Sequence, residues 1–157
     1  MTASAESTPV ETVRELPDLA ATTLFGAHLA QGLRRGDVLL LTGDLGAGKT
    51  ALCRAIIQAR AGAAIDVPSP TFNLVLPYDL PGLTITHFDL YRITGPDEAW
   101  ELGLEDAMAD GAVLIEWPER LGDDIPPDAL HLHMTTGPVD LRTVTLRGPA
   151  SVMERLT

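Results

Sequence analysis

Hydrophobic positions along this chain switch between helical and strand spacing, and the switches divide it into elements. Leu16-Pro17-Asp18 followed by Leu19 to Leu33 predicts an amphipathic helix begun at a proline and an acid, with Leu16, Leu19, Leu24, Ala27 and Leu33 offered to a core. Gly36-Asp37 turns the chain into Asp37-Val38-Leu39-Leu40-Leu41-Thr42, an apolar run of the kind that forms a buried parallel strand. Ala51 to Arg60 returns to helical spacing, with Leu52, Ala55, Ile56 and Ala59 on one face. Ala61-Gly62-Ala63-Ala64 ends that helix, and Ile65-Asp66-Val67 begins a short extended piece. Pro68-Ser69-Pro70 then removes helix as an option and stiffens the loop that presents Thr71.

Leu74 to Tyr78 and Leu83 to Phe88 have strand character and flank a Pro81-Gly82 turn, which predicts a hairpin. Asp97 to Ala109 is helical, entered by Gly95-Pro96 with acids in its first turn, and Gly103 is a candidate break. Ala112-Val113-Leu114-Ile115 is a second buried strand, ending in Glu116-Trp117-Pro118. After a proline-bearing loop at Asp123 to Asp128, Leu130 to Thr135 and Arg142 to Arg147 alternate as a final hairpin. The expected class is α/β, a single domain with a mostly parallel sheet flanked by helices and antiparallel strands at the edge.

Composition narrows this picture. A chain of 157 residues suits one domain, here residues 13–157, after an N-terminal tail at 1–12 that its Ser, Thr, Ala and Glu content marks as disordered. Hydrophobic residues are 45% of the chain and aromatics 4%, so Leu, Val, Ile and Ala must build the core. The single cysteine, Cys53, excludes an internal disulfide and falls where a small buried hydrophobe is expected. No apolar run approaches the roughly 20 residues that cross a bilayer, and the first residues lack a secretory pattern, so a cytoplasmic location is expected. Twenty-two acidic residues against eleven basic ones give a net charge of −11. Little material remains for the basic face that nucleic-acid phosphates need, so any role in nucleic-acid metabolism is expected to pass through another protein.

Of the eleven basic side chains only one is a lysine, and it lies in Gly43-Asp44-Leu45-Gly46-Ala47-Gly48-Lys49-Thr50. That run fits the phosphate-loop pattern G-x-x-x-x-G-K-[ST], with the required strand ahead and helix behind. Glycines let several backbone N–H groups converge on one anion at a helix start. Lys49 is the compact cation for β and γ phosphates, and Thr50 offers a hydroxyl to Mg²⁺. Gly43, Asp44, Leu45, Gly46, Ala47, Gly48, Lys49, Thr50 and Ala51 are therefore the candidate nucleotide-binding residues, with ATP and Mg²⁺ as cofactors.

A phosphate loop needs a carboxylate at the end of a neighbouring strand to help fix the metal. Glu116 follows four apolar residues and is favoured as metal partner, directly or through water. Asp89 follows a less apolar strand and is either a second metal-shell group or a water-positioning base. Thr50, Glu116 and Asp89 are thus the candidate metal residues, and Lys49, Asp89 and Thr71 the candidate catalytic ones. Thr71 is a candidate γ-phosphate sensor, the alternative being a simple cap. His87 is expected to be hydrogen-bonded near the site rather than catalytic. Tyr91 and Arg92 are candidates to close over the nucleotide, Arg92 being the one to touch phosphate or a partner. Trp117 should lie close to the loop, and Trp100 should pack the 97–109 helix onto the sheet. His28, His131 and His133 have no metal-ligand spacing. Pro17, Asp18 and Thr22 are candidates for the adenine pocket.

Taken together, the phosphate loop, Ser69-Pro70-Thr71-Phe72, His87-Phe88-Asp89-Leu90-Tyr91-Arg92 and Glu116-Trp117-Pro118 resemble, in order and approximate spacing, the bacterial TsaE (YjeE) family. The resemblance runs from Leu16-Pro17-Asp18 to about Glu119. It implies a P-loop ATPase subunit of the machinery that makes N6-threonylcarbamoyladenosine in tRNA, at the adenosine 3′ of the anticodon, with TsaD and TsaB as partners and no strong direct tRNA binding. By the same resemblance Thr50 and Glu116 match the family's magnesium positions and Asp89 its other acidic residue. Phe72 departs from the tyrosine of many relatives. A small-molecule kinase would share loop and metal but usually brings an Arg-rich lid, and no dense Arg cluster occurs here. A common GTPase would need Asn-Lys-x-Asp, which a chain with one lysine cannot supply. A nucleotide-gated interaction module remains a further alternative.

Overall fold

The computed structural model describes residues 9–157, which form a seven-stranded mixed sheet with helices on both faces. The strands are β1 Pro9–Leu16, β2 Val38–Thr42, β3 Val75–Leu80, β4 Leu83–Asp89, β5 Ala112–Glu116, β6 Leu130–Thr136 and β7 Arg142–Pro149. Helices are α1 Leu19–Gly32, α2 Lys49–Ala61, α3 Pro96–Glu101, α4 Leu104–Asp110 and α5 Ala150–Leu156, with a 3₁₀ turn at Pro118–Leu121. The strand order is β1-β7-β6-β2-β5-β4-β3. β6, β2, β5 and β4 run parallel in the centre, while β3 on one side and β7 and β1 on the other are antiparallel. The α/β class with an antiparallel edge is therefore the observed architecture.

Strand pleating sends successive residues of the central strands to opposite faces. Leu39 and Leu41 of β2 and Leu114 of β5 pack against Phe25 and Leu29 of α1, Leu52 and Ile56 of α2, and Leu156 of α5. Val38, Leu40, Val113 and Ile115 point the other way, toward Ala99 of α3, Leu104 of α4 and Leu121. Each fully buried leucine of this kind contributes about 1.5–3 kcal/mol by leaving water. This two-sided burial is what makes β2 and β5 rigid enough to aim the residues at their C-terminal ends.

Local signals act where expected at several points. Asp18 caps α1, its Oδ1 accepting from Ala21 N at 2.8 Å. The 97–109 segment is split by Leu102-Gly103 into α3 and α4, the break that Gly103 suggested. Both hairpins form, and Trp100 packs against the second core while its Nε1 donates to Asp124 Oδ2 at 3.3 Å.

Two expectations are corrected, and one element is added. Leu19 and Leu24 are 68% and 73% exposed, because the buried stripe of the helix is Thr22, Phe25, Gly26, Leu29, Ala30 and Leu33. The tail drawn at 1–12 overreaches: Pro9 to Thr12 belong to β1, paired in register with Pro149 to Leu146 of β7, and residues 1–8 lie outside the described residues. Helix α5 was not foreseen. Its Arg155 forms a forked pair with Asp37 (2.6 and 2.8 Å) and donates to Gly32 O at 2.8 Å, tying the chain's end to the approach to β2.

Candidate functional site

The carboxyl ends of β2, β4 and β5 meet at one edge of the sheet, and the predicted residues converge there. Directly after β2 the chain wraps through Gly43–Gly48 into α2, whose first residue is Lys49 and whose cap is Gly48. Gly43 (φ 138°) and Gly48 (φ 106°) both use the left-handed region. At Gly43 a Cβ would also collide with the Met134 carbonyl, so any other residue would push the loop off β6. The glycines of the motif thus have steric causes in this fold.

Opposite the loop, Asp89 and Glu116 are paired in register on the neighbouring parallel strands β4 and β5, and Leu41 of β2 is in register with Glu116. Both carboxylates are buried, at 5% and 3% exposure. Thr50 Oγ1 contacts Glu116 Oε1 and Oε2 at 2.9 and 3.0 Å, and His87 Nε2 lies 2.7 Å from Oε2. A carboxylate only accepts, so Nε2 donates, and the buried Nδ1 is left without a protein partner. Asp89 Oδ1 accepts from Tyr91 N at 3.0 Å and Oδ2 from Thr71 Oγ1 at 3.3 Å. Thr71 Oγ1 also lies 2.7 Å from Ser69 Oγ, so the proline-stiffened loop is tied to the acid it faces.

Lys49 lies across its own loop, donating to Gly43 O and, at 3.1 Å, to Asp44 O, with Nζ 4.1 Å from the Trp117 ring centre. Burial pulls its pKa below the ordinary lysine value, and the negative charges of Glu116, Glu119, Asp89 and Asp44 oppose that pull. Among the described residues it has no carboxylate within ion-pair distance. Its charge therefore remains free for an anion. Trp117 reaches the lysine because its backbone takes a left-handed conformation (φ 59°) immediately after β5, a costly geometry for a non-glycine residue. Its ring also meets Tyr91, centroid to centroid, at 4.9 Å.

Leu45, Gly46, Gly48, Lys49, Thr50, Ala51, Ser69, Thr71, Asp89, Glu116 and Arg142 line a cleft of ≈ 370 Å³. A second cavity of ≈ 230 Å³ is lined by Asp18, Leu19, Thr22, Asp140, Gly48, Ala51 and Arg142, the last three shared with the first. Asp18 and Thr22, named from sequence for a base pocket, are thus in place beside the loop. Arg142 was missed. It is 92 positions beyond Thr50, and only the pairing of β7 with β6 and of β6 with β2 brings it to the loop.

Other candidates fall elsewhere. Arg92 does not line the cleft: it donates to Phe72 O at 3.2 Å and stacks over the Phe72 ring at 5.5 Å. Tyr91 contributes its ring to Trp117 and its carbonyl to Arg120. His28 bonds the Thr157 carbonyl and His133 the Thr42 hydroxyl, so neither is in a metal cluster. Cys53 is fully buried behind the loop, near His87 and Glu116, and burial pushes its thiol well above the ordinary value, as a hydrophobic role requires.

The fit of the site to a divalent cation can be judged from its donors. Two buried carboxylates sit side by side with a threonine hydroxyl and, among the described residues, have no lysine or arginine within 4.0 Å. Hard oxygen donors of this kind suit Mg²⁺, and the glycine loop with its free lysine suits a phosphate chain next to it.

The strand–loop–helix unit, the free lysine and the facing acids define an α/β protein of the P-loop class. Within that class the chain matches, over residues 16–144, the family described as "Threonylcarbamoyl adenosine biosynthesis protein TsaE". It is 43% identical over 110 residues to the TsaE protein of Rickettsia typhi (70% of this chain, 76% of the relative) and 36% identical over 131 residues to that of Streptomyces coelicolor (79% and 88%). The crystal structure of Bacillus subtilis YdiB superposes with a TM-score of 0.76 at 25% identity, covering 95% of each chain. The chain belongs to the TsaE family, and its role lies in tRNA threonylcarbamoyladenosine biosynthesis.

Proposed function

We propose that this chain binds MgATP and hydrolyses it, and that hydrolysis supports formation of N6-threonylcarbamoyladenosine, at the tRNA adenosine 3′ of the anticodon, by acting on a complex of TsaB and TsaD. The observation that carries this reading is the convergence of Lys49 and Thr50 on one side of the cleft with Glu116 and Asp89 on the other. Thr50 and Glu116 would hold Mg²⁺, with Asp89 beside them. Bound there, the ion would neutralise charge on the β and γ phosphates. Loop amides would cradle the phosphates, and Lys49 would turn from its carbonyl partners to the γ phosphate. Thr71, held 3.3 Å from Asp89, would sense the γ phosphate while Asp89 orients the attacking water. Water oxygen would attack the γ phosphorus, the bond to the β–γ bridging oxygen would break, and ADP would leave with that electron pair. The water's protons would pass to Asp89 or to the released phosphate.

Partner docking is the natural source of control, because Thr71 sits on a loop whose next residue, Phe72, is 82% exposed. The isolated chain is expected to turn over slowly and to speed up on docking. No helix among the described residues is long and apolar enough to cross a membrane, which fits the cytoplasmic location proposed for such a complex. The direct test is calorimetric titration with ATP and a phosphate-release assay on wild type and Lys49→Ala. Binding and release should be present in the first and lost or strongly weakened in the second while circular dichroism stays unchanged. Equal phosphate release by the two proteins would overturn the proposal.

A further inference from the structure

Leu74 takes a backbone conformation that its residue type disfavours. Its φ of 68° lies in the left-handed region, where a side chain crowds the chain and glycine has nothing to crowd it. Trp117 shares that region and reaches Lys49 by doing so. Such a conformation persists only where the contacts around it over-determine the position.

The contacts at Leu74 close a ring on Asp89. Leu74 N donates to Pro70 O at 2.7 Å, which folds residues 70–74 into one tight turn, and Leu74 O accepts from Asp89 N at 2.9 Å, one step beyond the pairing of Val75 with Phe88. Thr71, inside the turn, returns to the same residue, its Oγ1 donating to Asp89 Oδ2 at 3.3 Å. One end of the ring is therefore the Asp89 backbone and the other its carboxylate. Pro68 and Pro70 restrict the way into the turn, and Arg92 holds its middle through Phe72 O at 3.2 Å. Leu74 sets the way out. Its half-buried side chain packs with Val75 against the core on the face of the sheet opposite α2.

Backbone and side chain make separable contributions here. Both hydrogen bonds at residue 74 use backbone atoms, so any residue at ease in the left-handed region can make them. An extended residue 74 would turn its N–H and C=O to opposite sides and could not keep Pro70 and Asp89 together. Thr71 would then lose its place. We propose that Leu74 is a positioning residue for hydrolysis, its left-handed backbone holding the Thr71 hydroxyl against the Asp89 carboxylate. This rests on the ATP hydrolysis proposed above.

Leu74→Ile and Leu74→Gly test it, because the two roles predict opposite orders. Isoleucine keeps size and apolarity but its β-branch opposes the left-handed region, whereas glycine gives up the side chain and frees the backbone. Were Leu74 only a packing residue, glycine would be the damaging change and isoleucine nearly neutral. Positioning predicts that ATP turnover by Leu74→Ile falls about tenfold or more at unchanged KM, while Leu74→Gly stays within about threefold of wild type. Hydrogen exchange at the Asp89 amide, measured without nucleotide, should quicken in Leu74→Ile and stay slow in Leu74→Gly. If thermal melting shows the isoleucine variant unfolded, Leu74→Ala replaces it: truncated nearly as far as glycine but still opposed to the left-handed region, it should fall below Leu74→Gly in both measurements. Isoleucine equal to wild type, or glycine impaired as much as the variant beside it, would overturn the proposal. If wild type releases no phosphate from ATP, the hydrolysis reading fails by itself, and amide exchange still decides whether the Leu74 backbone holds the turn on Asp89.

Discussion

Glu116 has two hydrogen-bond partners, the hydroxyl of Thr50 and the ring of His87, whereas Asp89 is held by a backbone N–H and by Thr71. The two acids are adjacent in register but attached to different machinery, Glu116 to the loop helix and Asp89 to the stiff proline loop. Glu116→Ala is therefore expected to make nucleotide binding much less dependent on Mg²⁺, while Asp89→Asn should lower turnover more than affinity. Isotherms with and without Mg²⁺ check this, and a reversed pattern would exchange the two roles. Trp117 gives an optical readout, since its ring lies 4.1 Å from Lys49 Nζ. Nucleotide entry should change its fluorescence, Trp117→Phe should remove most of the response, and Trp100→Phe, whose ring packs on the far core, should remove little. That Lys49, Thr50, Thr71, Asp89 and Glu116 gather around one cleft was legible in the sequence, because each sits within a short motif at a loop or strand end. Arg142 was not: no local pattern surrounds it, and only two strand pairings bring it to the loop.

Helix α1 shows how phase outweighs residue type at the level of the element. Picking its leucines by size selected Leu19 and Leu24, yet the buried stripe runs through 22, 25, 26, 29, 30 and 33 and includes a threonine, a glycine and an alanine. An alanine-rich helix leaves the phase ambiguous until a neighbour fixes it, and α2 does so here through close packing on α1. Leu29→Ala is expected to cost about 2–5 kcal/mol, since it empties a fully buried site, whereas Leu24→Ala should stay within about 0.5 kcal/mol. Urea unfolding of both variants measures the difference, and equal costs would contradict the burial pattern. Central strands were legible for the opposite reason: β2 and β5 are buried on both faces, so their apolar runs leave no phase to choose. β1 and α5 were hidden because neither carries its own signal. Six of the eight β1 residues are exposed, and α5 is seven residues long. Both exist through tertiary partners, β7 for the strand and Asp37 for Arg155 of the helix.

For the whole molecule, charge and site together limit what the chain can do alone. A net charge of −11 works against close approach to tRNA phosphates, and Lys49, the chain's one lysine, is committed to nucleotide in the function proposed here. The isolated protein is therefore expected to bind tRNA weakly or not at all. In the function proposed here its route to the tRNA product runs through other subunits, and the exposed Phe72, braced by Arg92, would offer them a docking handle one residue from Thr71. A subunit that fixed this loop would order Thr71 against Asp89 and the attacking water together, which predicts that adding TsaB and TsaD raises the ATPase rate. Hydrolysis would then reset the complex for another round of modification. Measured side by side, ATP turnover and tRNA modification should rise together with wild type, and Lys49→Ala should sustain neither beyond a first round. Fast ATPase by the isolated chain, or repeated modification supported equally by Lys49→Ala, would overturn this coupling while leaving the nucleotide site open to separate test by binding.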